Sequence, residues 1–362
     1  MILFYVLILS VHLIRGTESR TEIINTGVDN GHISSSTVSS ALGTETDPCA
    51  LYSPPKPDFS APGRRISETK CLEYKWEIKT VAERNNRSEE CQADNKKKLL
   101  PGDRNGNTHL LQFPHLGAVG WKKDDGTWGF HCGCSLISPQ FVLVVAHCAG
   151  TNKLPYKNKS PEIVRLGVNN IYQVTDENSS PIDNKIVKII LHPNYNPLRI
   201  NNDIALLKLE KEIGFTELVH PACLWPKDDL SELGPTATLT GWGNREASDD
   251  NARGELFATV VELMDSKECS KTAENFYRNQ WPTLTENQLC AGKVDGELEA
   301  CKMRMGGPLQ VKIPLPGVST DYNLYYTIGI ASLGTKCDLK VHLDVYTRVS
   351  SFIDWIENEV WS

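Results

Sequence analysis

The residues with the strongest chemical character fall in two places. One is the stretch Cys301-Lys302-Met303-Arg304-Met305-Gly306-Gly307-Pro308-Leu309. At its centre stand two methionines and an arginine. A thioether has no proton to give up and no lone pair activated for acyl attack, so neither methionine can serve as a covalent nucleophile. The other place is His131-Cys132-Gly133-Cys134 with His147-Cys148, where imidazoles and thiols lie close together in sequence. These donors lack the spacing of a zinc site, and no metal is expected. A lone histidine beside a cysteine is ordinarily structural.

Composition bounds what such residues could belong to. Of the 362 residues 40% are apolar and 23% charged, an ordinary globular balance, and the formal net charge is −7. A general nucleic-acid binder needs a clustered basic surface, so that class is excluded. The one basic run, Lys96-Lys97-Lys98, reads as an exposed linker, with a protease-sensitive site as the sharper reading. Met1 to Ile14 is almost wholly apolar and is followed by Arg15-Gly16-Thr17-Glu18-Ser19. So short a run does not span a bilayer. It reads as a signal peptide over residues 1–19, cut after Gly16 or after Ser19. No later stretch has membrane length, so a secreted chain is expected. Eleven cysteines fit that compartment, because disulfides persist outside the cytosol. Sequons at Asn86, Asn158 and Asn178 are candidate glycosylation sites, and no cofactor is implied.

The elements that must position these residues change character along the chain. Residues 20–101 read as a low-complexity, charged linker or pro-region, Ser/Thr/Gly/Asn/Pro-rich and extended at first, then charged, with a helical stretch over Leu72–Val81. They lack the six cysteines of a clip domain. From 102 to 362 a folded domain is expected. Short apolar runs recur between turns at Phe141–Val145, Ile186–Leu191, Ile204–Leu209, Ala237–Gly241, Leu309–Ile313 and Tyr325–Leu333. With no helical periodicity between them, they predict an antiparallel all-β fold. At the end, Ser351-Phe352-Ile353-Asp354 resembles a capping box. Phe352, Ile353, Trp355, Ile356 and Val360 then mark one face of an amphipathic helix.

Several motifs fall in one order: Phe113-Pro114-His115, Cys132-Gly133-Cys134-Ser135, Ala146-His147-Cys148, Asn202-Asp203-Ile204-Ala205-Leu206-Leu207, Thr240-Gly241-Trp242-Gly243, Leu289-Cys290-Ala291-Gly292, Gly306-Gly307-Pro308-Leu309 and Val345-Tyr346-Thr347-Arg348-Val349. In order and spacing they resemble the chymotrypsin/trypsin family. The chain is most similar to arthropod clip-domain proteases of the snake type, including Lys70-Cys71-Leu72-Glu73-Tyr74 of their linker. The resemblance implies two six-stranded antiparallel β-barrels with the active site between them and a C-terminal helix. It makes His147 the general base and Asp203 the carboxylate that orients it. It puts Met305 where the family has its serine, and Met303 where a glycine supplies an oxyanion N–H. Arg304 stands where an aspartate receives the amino terminus freed by activation cleavage.

That amino terminus is missing as well. Gly102-Asp103-Arg104-Asn105 matches the family's Ile-Val-Gly-Gly nowhere. One buried charge without its partner would cost about 3–5 kcal/mol, and losing both partners avoids that cost. The domain is therefore expected to fold without activation, with Glu299 or Asp344 as the acid facing Arg304. In the specificity pocket, Glu299 replaces the basic-residue aspartate, Leu333 precedes Gly334, and Asp344 fills space kept open by a glycine in relatives.

The resemblance also implies disulfides Cys132–Cys148, Cys269–Cys290, Cys301–Cys337 and Cys91–Cys223. Cys49, Cys71 and Cys134 remain. Cys49–Cys71 is one pairing, a disulfide-linked dimer through any of the three is another, and Cys134 reads as a small buried hydrophobe. The function implied is a secreted, non-catalytic serine protease homologue. It would bind an extracellular protease, zymogen or inhibitor in a proteolytic or innate immune cascade, with no nucleic acid or membrane as partner. The alternative is an active trypsin-like endopeptidase using Ser332 or Cys134 as nucleophile. A third reading is a stable fold with no specific role.

Overall fold

The computed structural model describes residues 47, 49–96, 112–149, 158–172, 181–198, 201–243, 254–277, 284–293, 305–315, 317, 323–334 and 342–362. The expected signal peptide, Lys97, Lys98 and the Gly102–Asn105 segment lie outside them.

Two rings of strands carry the fold. The first contains β1 (Leu116–Lys122), β2 (Trp128–Ser138), β3 (Phe141–Val144), β4 (Ile163–Leu166), β5 (Ile182–Leu191) and β6 (Ala205–Leu209). Its order is β1-β2-β3-β6-β5-β4, closed by β4 on β1. A two-residue strand β7 (Cys223–Leu224) leads to β8 (Thr236–Gly243), β9 (Glu255–Met264), β10 (Gln288–Lys293), β11 (Pro308–Ile313), β12 (Leu324–Gly334) and β13 (His342–Arg348). These six strands run β11-β8-β9-β10-β13-β12, and β12 closes on β11, with β7 added in parallel beside β12. Closure removes the unpaired edges that would otherwise template aggregation. Both rings are antiparallel six-stranded barrels.

The apolar runs form strands because the barrels bury them. All four residues of β3 are buried, and along β6 only Lys208 is not. β1, β2, β3, β4 and β6 build one core around Val119, Leu136, Leu143, Val164 and Leu206. Leu239, Val261, Leu309, Ile328 and Tyr346 build the second. The C-terminal helix, Ile353–Val360, follows the last strand of the second barrel yet sends Phe352, Ile353 and Ile356 into the first barrel's core. Ser351 does not cap it as expected. A 3₁₀ turn over Ser350–Phe352 feeds the helix, and Phe352 holds the cap position without a side-chain bond.

The segment before the barrels departs most from expectation. Helix α1 spans Ile66–Lys96, 31 residues instead of the ten expected at Leu72–Val81. Cys71, Tyr74, Ile78, Val81 and Ala82 recur at helical spacing and pack on Ile313 and Leu324 of the second barrel. The Tyr74 hydroxyl donates to the Ile137 carbonyl at 2.9 Å. At the start of the helix, Arg65 pairs with Asp354 and Glu357, and Ser67 donates to Glu357 at 2.6 Å. Beyond Ala82 the helix has no apolar stripe, which is why periodicity did not reveal it. That half is held by Cys49–Cys91 and by Arg87, which donates to the Asp47 carbonyl at 2.7 Å.

The disulfide pairing is corrected accordingly. The expected Cys91–Cys223 bridge is not formed: Cys71 pairs with Cys223 and Cys49 with Cys91. Cys71 lies on the buried stripe facing β7, whereas Cys91 is 20 residues on, about 30 Å further along a helix. Cys49–Cys71 is excluded by the same pairing, and neither cysteine is left for a disulfide-linked dimer. Cys132–Cys148 and Cys269–Cys290 are present. Cys301 and Cys337 lie outside the described residues. Among the described residues Cys134 is the free thiol, and it is fully buried.

Main chain stitches the barrels together ahead of β11. The Gly133 amide donates to the Met305 carbonyl at 2.8 Å. The Gly306 amide donates to Ala331, and Ala331 donates back to Gly307. Gly306 sits at φ +78°, and a Cβ there would lie 2.2 Å from the Gly133 carbonyl oxygen. Only glycine allows both the left-handed backbone and the approach.

Two buried histidines accompany this framework. No ring nitrogen of His115 has a hydrogen-bond partner, and His220 holds only the Pro221 carbonyl at 3.3 Å. Burial, reinforced by neighbouring His220 and opposed by Gln310, pulls His115 down to about 3. Burial likewise pulls His220 down to about 4, against the Pro221 bond.

Three outcomes are expected. Non-reducing peptide mapping will recover Cys49–Cys91 and Cys71–Cys223; a linked Cys91–Cys223 peptide pair would refute the helix placement. Gly306→Ala will lower stability in guanidinium unfolding by about 3 kcal/mol or more, from backbone strain plus overpacking. The third concerns pH. Both histidines stay neutral when folded but take up protons when unfolded below pH 6.5, so the unfolded state binds more protons between that value and their folded pKa. Stability therefore falls as pH drops from about 6.5 to 5, by up to about 2 kcal/mol per histidine. His115→Asn and His220→Asn should each flatten that slope, and an unchanged slope would contradict the assignment.

Candidate functional site

His147 is placed by the four-residue helix α2 (Ala146–Ala149), immediately after β3 and pinned by the Cys132–Cys148 bridge. Asp203 lies just before β6, after Asn202, whose φ of +53° turns the chain. An asparagine tolerates that conformation better than a bulkier residue. The Asp203 side chain is fully buried and the His147 side chain is 36% exposed. One carboxylate oxygen accepts the His147 backbone amide at 2.9 Å, and the other meets His147 Nδ1 at 2.7 Å. The second oxygen also accepts from the Ser332 hydroxyl at 2.5 Å. The Asp203 carbonyl accepts from Thr347 at 2.8 Å. An imidazole held through Nδ1 by a buried carboxylate has its other nitrogen available as a base.

The structure thus brings His147 and Asp203 together and adds two partners from the second barrel, Ser332 on β12 and Thr347 on β13. Sequence reading considered Ser332 only as a stand-in nucleophile. Its place in the apolar Tyr325–Leu333 run was the available sign of burial, but its partner was not legible.

The Met305 carbonyl is fixed by Gly133, and its half-buried side chain packs against the first barrel's core. Met303, Arg304 and Glu299 lie outside the described residues. Gly334 and Asp344 stand directly opposite each other on β12 and β13, and Asp344 is 2% exposed.

Cys134 is remote from any titration role, since full burial pushes its thiol far up. Among the described residues no three His, Cys, Asp or Glu side chains group as a metal site. No described helix is long and apolar enough to cross a membrane. Asn86 is exposed on α1, Asn158 is exposed before β4 and accepts the Ser160 amide at 3.1 Å, and Asn178 lies outside the described residues.

Comparison with known proteins agrees with this geometry. The trypsin family profile matches residues 105–356. Serine protease snk of Drosophila melanogaster is 33% identical over 317 residues, covering 84% of this chain and 67% of its own. CLIP domain-containing serine protease B4 of Anopheles gambiae is 32% identical, covering 70% and 69%. Melanization protease 1 of Drosophila melanogaster is 32% identical, covering 73% and 69%. Two closed barrels, a histidine–aspartate pair at their junction and a profile match over most of the chain lead to one conclusion: this chain belongs to the trypsin family.

Proposed function

We propose that the chain is a secreted, non-catalytic member of this family that acts by protein binding, as a regulator or cofactor in an extracellular proteolytic or innate immune cascade. The observation that carries the reading is the residue at the serine position. By the resemblance Met305 holds the serine position, and a thioether there leaves the His147–Asp203 pair no proton to take. Arg304 and Met303 replace the activation aspartate and the oxyanion glycine, and the activation sequence is absent at Gly102–Asn105. Losses that coincide at the nucleophile, the oxyanion site and the activation pair fit relaxed selection on catalysis with the fold retained. A buried Asp344, at a position where the resemblance puts a glycine, fits the same reading.

A signal peptide over residues 1–19 and glycans at Asn86, Asn158 and Asn178 belong to this proposal, as does an extracellular protease, zymogen or inhibitor as partner. A relative named as a melanization protease supports a cascade setting. The alternative, a catalytic chain using Ser332 or Cys134, finds no favourable observation. Ser332 is 3% exposed and its hydroxyl donates to Asp203, and Cys134 is fully buried.

The test is hydrolysis of a broad peptide library by the purified secreted protein beside His147→Ala. Identical traces at background level are expected. Cleavage by the natural protein that disappears in His147→Ala would overturn the proposal.

A further inference from the structure

On the outside of the first barrel, β1, β2, β4 and β5 enclose a groove of about 490 Å³. Trp128, Ile163 and Ile189 give it an apolar floor, and Lys122, Lys185 and Lys188 stand around it, all three exposed. Strand register explains the clustering. Lys122 pairs with Trp128 at the end of the β1–β2 hairpin, and Lys185 pairs with Ile163 across β4 and β5. A bulge between Ile186 and Lys188 leaves two consecutive residues, Val187 and Lys188, exposed, Val187 at 54%.

None of the three lysines makes an ion pair among the described residues. Lys188 also stands directly opposite Lys208 on β6. Like charges opposed across a ladder repel, so this arrangement is not explained by strand pairing. The one carboxylate lining the groove, Glu162, accepts the Asn158 amide at 3.1 Å. In a chain of net charge −7, this is a partly apolar concavity lined by three lysines against one carboxylate, Glu162.

We propose that this groove is a docking site for an acidic, extended segment of a partner protein that carries an apolar side chain. Its carboxylates meet Lys122, Lys185 and Lys188, and its apolar side chain covers Trp128, Ile163 and Val187. The site lies apart from His147 and Asp203, and the proposal holds whether or not the chain hydrolyses peptides.

Fluorescence anisotropy with a labelled peptide alternating Glu with Leu and Phe tests it, using the full secreted chain and Asn158→Gln. The latter removes any glycan at the groove rim. Micromolar binding to both is expected, weakening roughly tenfold or more between low and high salt because exposed charges are screened. Lys122→Glu/Lys185→Glu/Lys188→Glu should lose binding roughly tenfold or more with an unchanged circular-dichroism spectrum. Val187→Asp keeps the lysines and should weaken binding as well. Absence of binding to Asn158→Gln, or equal binding by the charge-reversed protein, would overturn the proposal. So would binding of a heparin oligosaccharide in place of the peptide, or self-association through the groove seen in sedimentation.

Discussion

A carboxylate taken out of water costs several kcal/mol unless hydrogen bonds replace its hydration. Asp203 is buried at the junction of the two barrels, and everything that satisfies it comes from somewhere else in the fold. The His147 amide and imidazole come from the end of the first barrel's third strand, and the Ser332 hydroxyl comes from the second barrel. Thr347 binds the same residue's carbonyl. Removing the second barrel would take away one of the three donors to the carboxylate and the Thr347 bond to its carbonyl. The pair therefore acts as a structural key between the barrels, whatever its part in chemistry.

The glycine stitch sets the same junction from the other side. Met305, Gly306 and Gly307 run close against β2 because Gly133 and Gly306 lack side chains. Backbone bonds from Gly133, Gly306 and Ala331 hold that approach. These backbone contacts and the side chain at position 305 are separate constraints.

The barrels were legible because each strand is a short apolar run flanked by turns, and burial inside a closed ring demands that pattern. The helix ahead of them was only half legible. Cys71, Tyr74, Ile78 and Val81 form a stripe that sequence can show, but Glu83 to Glu90 is charged on all faces and is held by a disulfide. Cysteine spacing alone does not say which sulfur faces the barrel, so Cys91 was paired with Cys223 where Cys71 belongs. At the site, His147 and Asp203 carried local motifs. Ser332, Thr347 and the buried His115 and His220 have meaning only through long-range packing, which no local pattern encodes. The lysine groove escaped notice for the same reason, since its members are 3 to 66 positions apart in the chain.

The central claim is that an intact fold surrounds a site without a nucleophile. Active-site labelling with a fluorophosphonate probe, read by intact mass on the purified secreted chain, tests it most directly. The account predicts no adduct on a protein whose circular dichroism shows it folded. A stoichiometric adduct mapping to a native serine would contradict it.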